Sequence, residues 1–259
     1  MAYQHISSRD NPLFKQLKAL SGSARERRLA GKILLDGAHL LESYLEIFGE
    51  PELLVVTEGE LALDVLNLLD RLAEIKTITM PASMFAAISP VTTPTGILAL
   101  VRTPLLMPPQ VPTFVLMLEN IQDPGNMGSM LRNAAAAGVD VVFLSEGCTE
   151  AWSPKALRGG QGAHFVLPIV EHVDLVHQLR LFNGTAFATT MHGESLYKQD
   201  LTGAVAFMIG NEGAGLSQSV LDAADVKVTI PMPGQVESLN AAAAAAVCLF
   251  ERVRQTIAQ

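Results

Sequence analysis

Asn120-Ile-Gln-Asp-Pro-Gly-Asn-Met-Gly-Ser-Met-Leu-Arg132 follows the apolar run Phe114–Leu118 and reads as strand, turn and helix in immediate succession. Asp123-Pro124-Gly125 is turn chemistry, and Asn126 or Ser129 suits the N-cap of a helix continuing to about Ala137. Turn chemistry does not explain Arg132, set one and a half turns into a small, alanine-rich helix. A guanidinium there can return to the strand end and fork onto a phosphate or carboxylate.

Two later stretches repeat this placement. Ile209-Gly-Asn-Glu-Gly-Ala-Gly215 ends the apolar run Val205–Ile209, and Ile230-Pro-Met-Pro-Gly-Gln-Val-Glu-Ser-Leu-Asn240 ends the run Val226–Ile230. Gly210, Gly213 and Gly215 let backbone approach a ligand closely. Glu212, lying between glycines, is poorly placed for a phosphate; it suits holding Arg132 or facing a cationic sulfonium. Pro231 and Pro233 stiffen the exit from the third strand, Gly234 permits a tight turn, and Ser238 is a good N-cap. Six consecutive alanines from Ala241 favour helix and close packing. The glycine order is GxxGxG, and neither the dinucleotide fingerprint GxGxxG nor the phosphate loop GxxxxGK[ST] occurs.

Outward from these stretches the chain alternates helix-like and strand-like patterns. Strands are expected at Val141–Leu144, near Phe165–Ile169, and at Thr185–Thr189, with helices over Val173–Phe182 and from about Ser238 to Thr256. Such alternation favours a mainly parallel sheet covered by helices, with ligands at the carboxyl ends of strands. All three stretches fall there. Pro104, Pro108, Pro109 and Pro112 suit an extended linker. Residues 1–103 are therefore expected to form a small α/β domain, 104–112 a linker and 113–259 a second domain. In the first, Asp10 or Asn11 caps a helix through Leu20, Ile33–Leu35 is a short apolar run, and apolar residues from Leu40 to Phe48 recur at helical spacing. Glu52–Val56 and Lys76–Thr79 read as strands flanking a helix over Glu60–Ala73.

The formal charge of −8 argues against a nucleic-acid partner when taken as a sum, but the charge is unevenly placed. Residues 1–32 carry a net +5 through Arg9, Lys15, Lys18, Arg25, Arg27, Arg28 and Lys32, leaving −13 on the remainder. A basic arm on an acidic body can contact phosphates while the body does chemistry. Cys148 and Cys248 offer neither zinc spacing nor a disulfide framework, and the six histidines show no ligand grouping, so no metal is expected. No signal-peptide core and no bilayer-length apolar run occur, which points to a cytoplasmic protein without a membrane partner. GxSxG and HExxH are absent as well, removing the common hydrolase readings.

Taken in this order, the three stretches resemble the motifs of the SpoU/TrmH-type RNA 2'-O-ribose methyltransferases of the SPOUT class. The first hundred residues more loosely resemble the ribosomal-protein-like substrate-binding domain that often precedes them. The resemblance implies an α/β SPOUT domain with a C-terminal trefoil knot, S-adenosyl-L-methionine as cofactor, ribosomal RNA (or transfer RNA) as substrate, and a homodimer. It assigns Asn126, Arg132, Glu212, Ser238 and Asn240 to the catalytic site. Cofactor contacts would come from Thr189, Met191, Gly210, Ile230, Met232 and Leu239, with Ile230 and Leu239 bracketing the adenine. Ser153-Pro-Lys-Ala-Leu-Arg-Gly-Gly-Gln-Gly-Ala163 is similar to the family's Pro-Lys…Arg…Gly-Ala stretch, so Lys155 and Arg158 join Arg25, Arg27 and Arg28 as RNA contacts. Ala241 and Ala242 stand where Val-Ser is usual, and Gly160 where Ser is common; each change removes a hydroxyl. The competing reading is a non-catalytic RNA-binding or ribosome-assembly protein that keeps the fold.

Overall fold

The computed structural model describes residues 3–89, 91, 94–235 and 238–257. Val236 and Glu237 of the third stretch lie outside the described residues. The chain divides into two compact units: Met1–Pro104 with Trp152–Phe165, and Leu105–Ala151 with Val166–Gln259.

The first unit carries strands β1 (Gln4–His5), β2 (Lys32–Asp36), β3 (Leu53–Thr57), β4 (Thr77–Met80) and β5 (Ile97–Arg102) in the order β1-β4-β3-β5-β2. β5 alone runs antiparallel to its neighbours. Its helices are α1 (Pro12–Gly22), α2 (Ala24–Ala30), α3 (Ala38–Phe48), α4 (Leu63–Arg71) and α5 (Ala82–Ile88). Asn11 caps α1, its Oδ1 accepting from Leu13 N at 2.9 Å with Pro12 in the first turn. The unit is completed by α7 (Pro154–Gly160) and a single 3-10 turn at Ala163–Phe165. Leu157 and Phe165 from this segment enter the buried cluster of Ile33, Leu35, Tyr44 and Leu54, and Trp152 packs against it. The strand expected near Phe165 is therefore displaced, because Phe165 is drawn edge-on to Tyr44, with ring centroids 5.5 Å apart.

In the second unit, β6 (Phe114–Leu118), β7 (Val141–Ser145), β8 (Ile169–Val173), β9 (Thr185–Ser195), β10 (Val205–Ile209) and β11 (Val226–Thr229) order as β11-β9-β10-β6-β7-β8, every pairing parallel. β6 and β10 are buried at every residue, as expected of strands covered on both faces. The covering helices are α6 (Pro124–Ala137), α8 (Leu175–Leu181), α9 (Gln218–Ala223) and α10 (Ala241–Ile257). Asp123, rather than Asn126 or Ser129, caps α6 by accepting from Asn126 N at 2.9 Å. The last helix starts at Ala241 because Asn240 Oδ1 accepts from Ala242 N at 2.9 Å and from Ala243 N at 3.3 Å. Capping thus falls to Asn240 and not to Ser238. α10 packs on α6, where Asn133 Nδ2 donates to Ala242 O at 3.4 Å.

A departure from regular pairing shapes the site. β11 pairs with Phe187 and Ala188 of β9, then resumes at Glu194 and Ser195. Residues 189–193 leave the ladder as an excursion over the sheet's carboxyl edge. Gly193 closes it, since a Cβ there would lie 2.5 Å from Lys227 O.

Candidate active site

Loops at the carboxyl ends of β10 and β11, with the β9 excursion and the first turn of α10, line a cleft of about 660 Å³. This lies within the roughly 300–1,000 Å³ usual for small-molecule sites. Its lining includes Thr189, Thr190 and Met191, every residue from 210 to 216, then Thr229, Ile230, Met232, Ser238, Leu239 and Asn240. All six residues expected to contact cofactor line it. So do Glu212, Ser238 and Asn240.

Asn126 joins them from α6. Its Nδ2 donates to Glu212 Oε1 at 2.9 Å, and its Oδ1 accepts from Asn240 Nδ2 at 3.0 Å. One side chain from each of the three sequence stretches therefore enters a single hydrogen-bonded chain, Asn240 to Asn126 to Glu212. Burial pushes the Glu212 carboxyl up, but the Asn126 amide and backbone N–H donors at 212, 122 and 123 outweigh it and hold the group below its ordinary value. Glu212 is consequently a carboxylate at neutral pH, aimed at the cleft by an amide rather than by Arg132.

The loop after β10 owes its shape to glycine. A Cβ on Gly210 would meet the Gly215 carbonyl carbon at 2.3 Å, and Gly215 takes a left-handed φ of 71°. Asn211 and Gly215 exchange backbone hydrogen bonds of 3.1 and 2.9 Å, while Asn211 Oδ1 accepts from Gly213 N and Ala214 N, each at 2.9 Å. Thr189 Oγ1 is committed to Met208 O at 2.8 Å. What Thr189 offers a ligand is thus its backbone and methyl group. Met191 and Leu239 are exposed apolar side chains at the same cleft.

Other expected residues lie elsewhere. Arg132 is exposed, does not line the cleft, and makes no hydrogen bond or ion pair among the described residues. Arg27 is corrected as an RNA contact. It is 5% exposed, and its guanidinium donates to Leu20 O at 2.5 Å and to Ser21 O at 3.2 Å, satisfying carbonyls at the end of α1. Arg25 and Arg28, on the same helix, are exposed. So are Lys155 and Arg158 on α7, within the first unit. Sequence reasoning missed Glu119, an acid directly after an all-apolar strand, and its partner Ser217.

With this geometry in view, comparisons with known proteins converge. A model of the SpoU rRNA Methylase family matches residues 113–250, more than half of the chain. The chain belongs to that family. Residues 11–99 match the MRM3-like substrate binding domain. The 23S rRNA (guanosine(2553)-2'-O)-methyltransferase RlmP of Bacillus subtilis (strain 168) is 32% identical over 253 residues, which cover 95% of this chain and 98% of that protein. A crystal structure of an RNA 2'-O ribose methyltransferase superposes with a TM-score of 0.86 at 30% identity, covering 98% of this chain and 100% of the other. The SpoU methyltransferase AviRb from Streptomyces viridochromogenes, crystallised with AdoMet, gives 0.83 at 29% identity, covering 96% and 100%. This SpoU methylase is accordingly an S-adenosylmethionine-dependent RNA 2'-O-ribose methyltransferase, and the non-catalytic alternative is set aside. Among the described residues, no helix is long and apolar enough to cross a membrane.

Proposed function

We propose that the protein methylates a ribose 2'-hydroxyl of 23S ribosomal RNA in the cytoplasm, working as a homodimer. The observation that carries this reading is the Asn240–Asn126–Glu212 chain at a cleft lined by all six expected cofactor contacts. The name of the Bacillus subtilis relative supports the choice of 23S rRNA.

When bound, S-adenosylmethionine supplies a methyl group on a cationic sulfur that leaves without acid assistance. The residues of this chain have to align and shield. Thr189, Met191, Gly210, Ile230, Met232 and Leu239 line the cleft and would hold the nucleoside, with Ile230 and Leu239 as the apolar contacts for the adenine. The Glu212 carboxylate favours positive charge close by. Asn126, Ser238 and Asn240 orient the attacking hydroxyl; alignment of this kind is worth a large share of the barrier. Arg132 grips an RNA phosphate and stabilises negative charge growing on the ribose oxygen. A guanidinium stays protonated, so Arg132 is not the proton acceptor.

Arg132 lies outside its own chain's cleft, which suits completion of the site by a second copy. The α6–α10 face, with Phe250 and Ile257 exposed on α10, would supply that contact. Threading of the last helix as a knot accords with its packing on α6 and β10. Residues 1–103, joined through 104–112 to 113–259 and completed by the segment 152–165, would present the RNA through Arg25, Arg28, Lys155 and Arg158. Mapping ribose 2'-O-methyl sites in total RNA with and without the gene tests the reading. A single 23S site should vanish in the deletion; an unchanged map in 23S rRNA would contradict it.

A further inference from the structure

We infer that Glu119, buried at the end of β6, is a positioning residue that clamps the cofactor loop 210–217 through Ser217, an inference that rests on the methyl-donor reading of the cleft. Glu119 is 8% exposed and does not line the cleft. Its Oε2 accepts from Ser217 N at 2.7 Å and its Oε1 from Ser217 Oγ at 2.6 Å, so one carboxylate takes both donors of one residue. Short, doubly donated bonds to a carboxylate are the strong kind, and burial makes leaving them unmade costly. Other links fasten the opposite end of the loop. Glu119 N donates to Ile209 O at 2.9 Å, and Asn211 Nδ2 donates to Asn120 O at 2.8 Å.

Between these anchors the chain has little freedom of its own, closed as it is by the Asn211–Gly215 bridge. Besides the Asn126–Glu212 bond, its hydrogen bonds to the end of β6 pass through two consecutive residues, Glu119 and Asn120. Asn120 sits at a left-handed φ of 53°, with its side chain packed where Gly147 leaves room: a Cβ on Gly147 would meet Asn120 Oδ1 at 1.8 Å. Every residue from 210 to 216 lines the cleft, so a shift at the Ser217 end displaces the wall that faces the cofactor. The end of β6, which leads into the stretch that carries Asn126, thereby also sets the position of the stretch that carries Glu212.

Calorimetry with S-adenosylhomocysteine on the full-length protein, paired with methyl-transfer kinetics, tests the clamp. Glu119→Ala should weaken binding about tenfold and raise the KM for S-adenosylmethionine equally, with kcat at saturating cofactor and the KM for RNA unchanged. Glu119→Gln should restore affinity to within about twofold, because an amide can accept from Ser217 N and donate to Ser217 Oγ. Ser217→Ala should cost about threefold, and the double variant should be no weaker than Glu119→Ala alone. A merely structural role would instead depress every parameter with Tm, and Gln would not rescue it. If the parent protein binds S-adenosylhomocysteine and Glu119→Ala binds it equally well, the clamp is wrong while the cleft reading stands. If the parent protein fails to bind it, both fall. Should Glu119→Ala not fold, Ser217→Ala with parental affinity overturns the clamp by itself.

Discussion

The strand ends of β2 and β10 each lead into an acid, and the two units treat that acid in opposite ways. Asp36, half-buried at the end of β2, receives the Ser89 hydroxyl at 2.5 Å and the Thr95 hydroxyl at 3.4 Å. Burial dominates there and pushes its carboxyl above the ordinary value, despite those hydroxyls and the nearby Arg158. Glu212 is exposed at the cleft, and its amide and backbone donors hold its carboxyl below the ordinary value. A strand-end acid can thus be a closed joint or an open, permanently charged group. Its donors and its access to water decide which.

The sharpest way to break this contrast is Asn126→Ala, which removes both bonds joining Glu212 to Asn240. It should lower kcat/KM about 100-fold, the scale of losing one preorganised polar group, with little change in cofactor affinity. Single-turnover methylation of 23S rRNA would measure it. In the first unit the comparable lesion is Arg27→Ala, which strips donors from Leu20 O and Ser21 O. It should cost roughly 2 kcal/mol of stability in denaturant unfolding. Arg25→Ala with Arg28→Ala should leave stability alone and reduce the salt dependence of RNA binding by about one unit per residue. Stability unchanged by Arg27→Ala would restore it as an RNA contact.

Arg132→Lys should lower turnover about tenfold, because an ammonium cannot reproduce the guanidinium fork. Near-normal turnover would contradict that assignment. The smallest effects concern pH, followed by carboxyl NMR titration. The Glu212 midpoint should fall below 4.5, and the Asp36 midpoint should lie above 3.8. Glu212 then contributes stability that is present above its unfolded value and lost as pH falls through its folded value. For Asp36 the sign reverses: its contribution is greatest below its unfolded value and declines as pH rises through its folded one. Like-signed shifts would end the contrast.

Much of the second unit was legible because its signals are local. Fully apolar five-residue runs announced β6 and β10, and prolines and glycines marked the turns that follow them. Family resemblance then assigned Asn126, Arg132, Glu212, Ser238 and Asn240 to the site, and of these Asn126, Glu212 and Asn240 share one hydrogen-bonded chain. Long-range consequences were not legible. Arg27 looks like its neighbours in a basic run, and nothing local says that it turns inward to the end of α1. Phe165 suits a strand by composition, yet the ring of Tyr44, far away in sequence, draws it into a turn. Glu119 acquires meaning only once Ser217, 98 residues later, lies beside it. The 189–193 excursion of β9 depends on pairing with β11, which no window of sequence contains.

A crystal structure of the protein with S-adenosylhomocysteine tests the central claim most directly. The nucleoside should lie between the β9 excursion, the 210–216 loop and the side chains of Ile230, Met232 and Leu239, with the homocysteine sulfur near Glu212. Ligand bound at another surface, or a cleft with those three loops drawn apart, would contradict it.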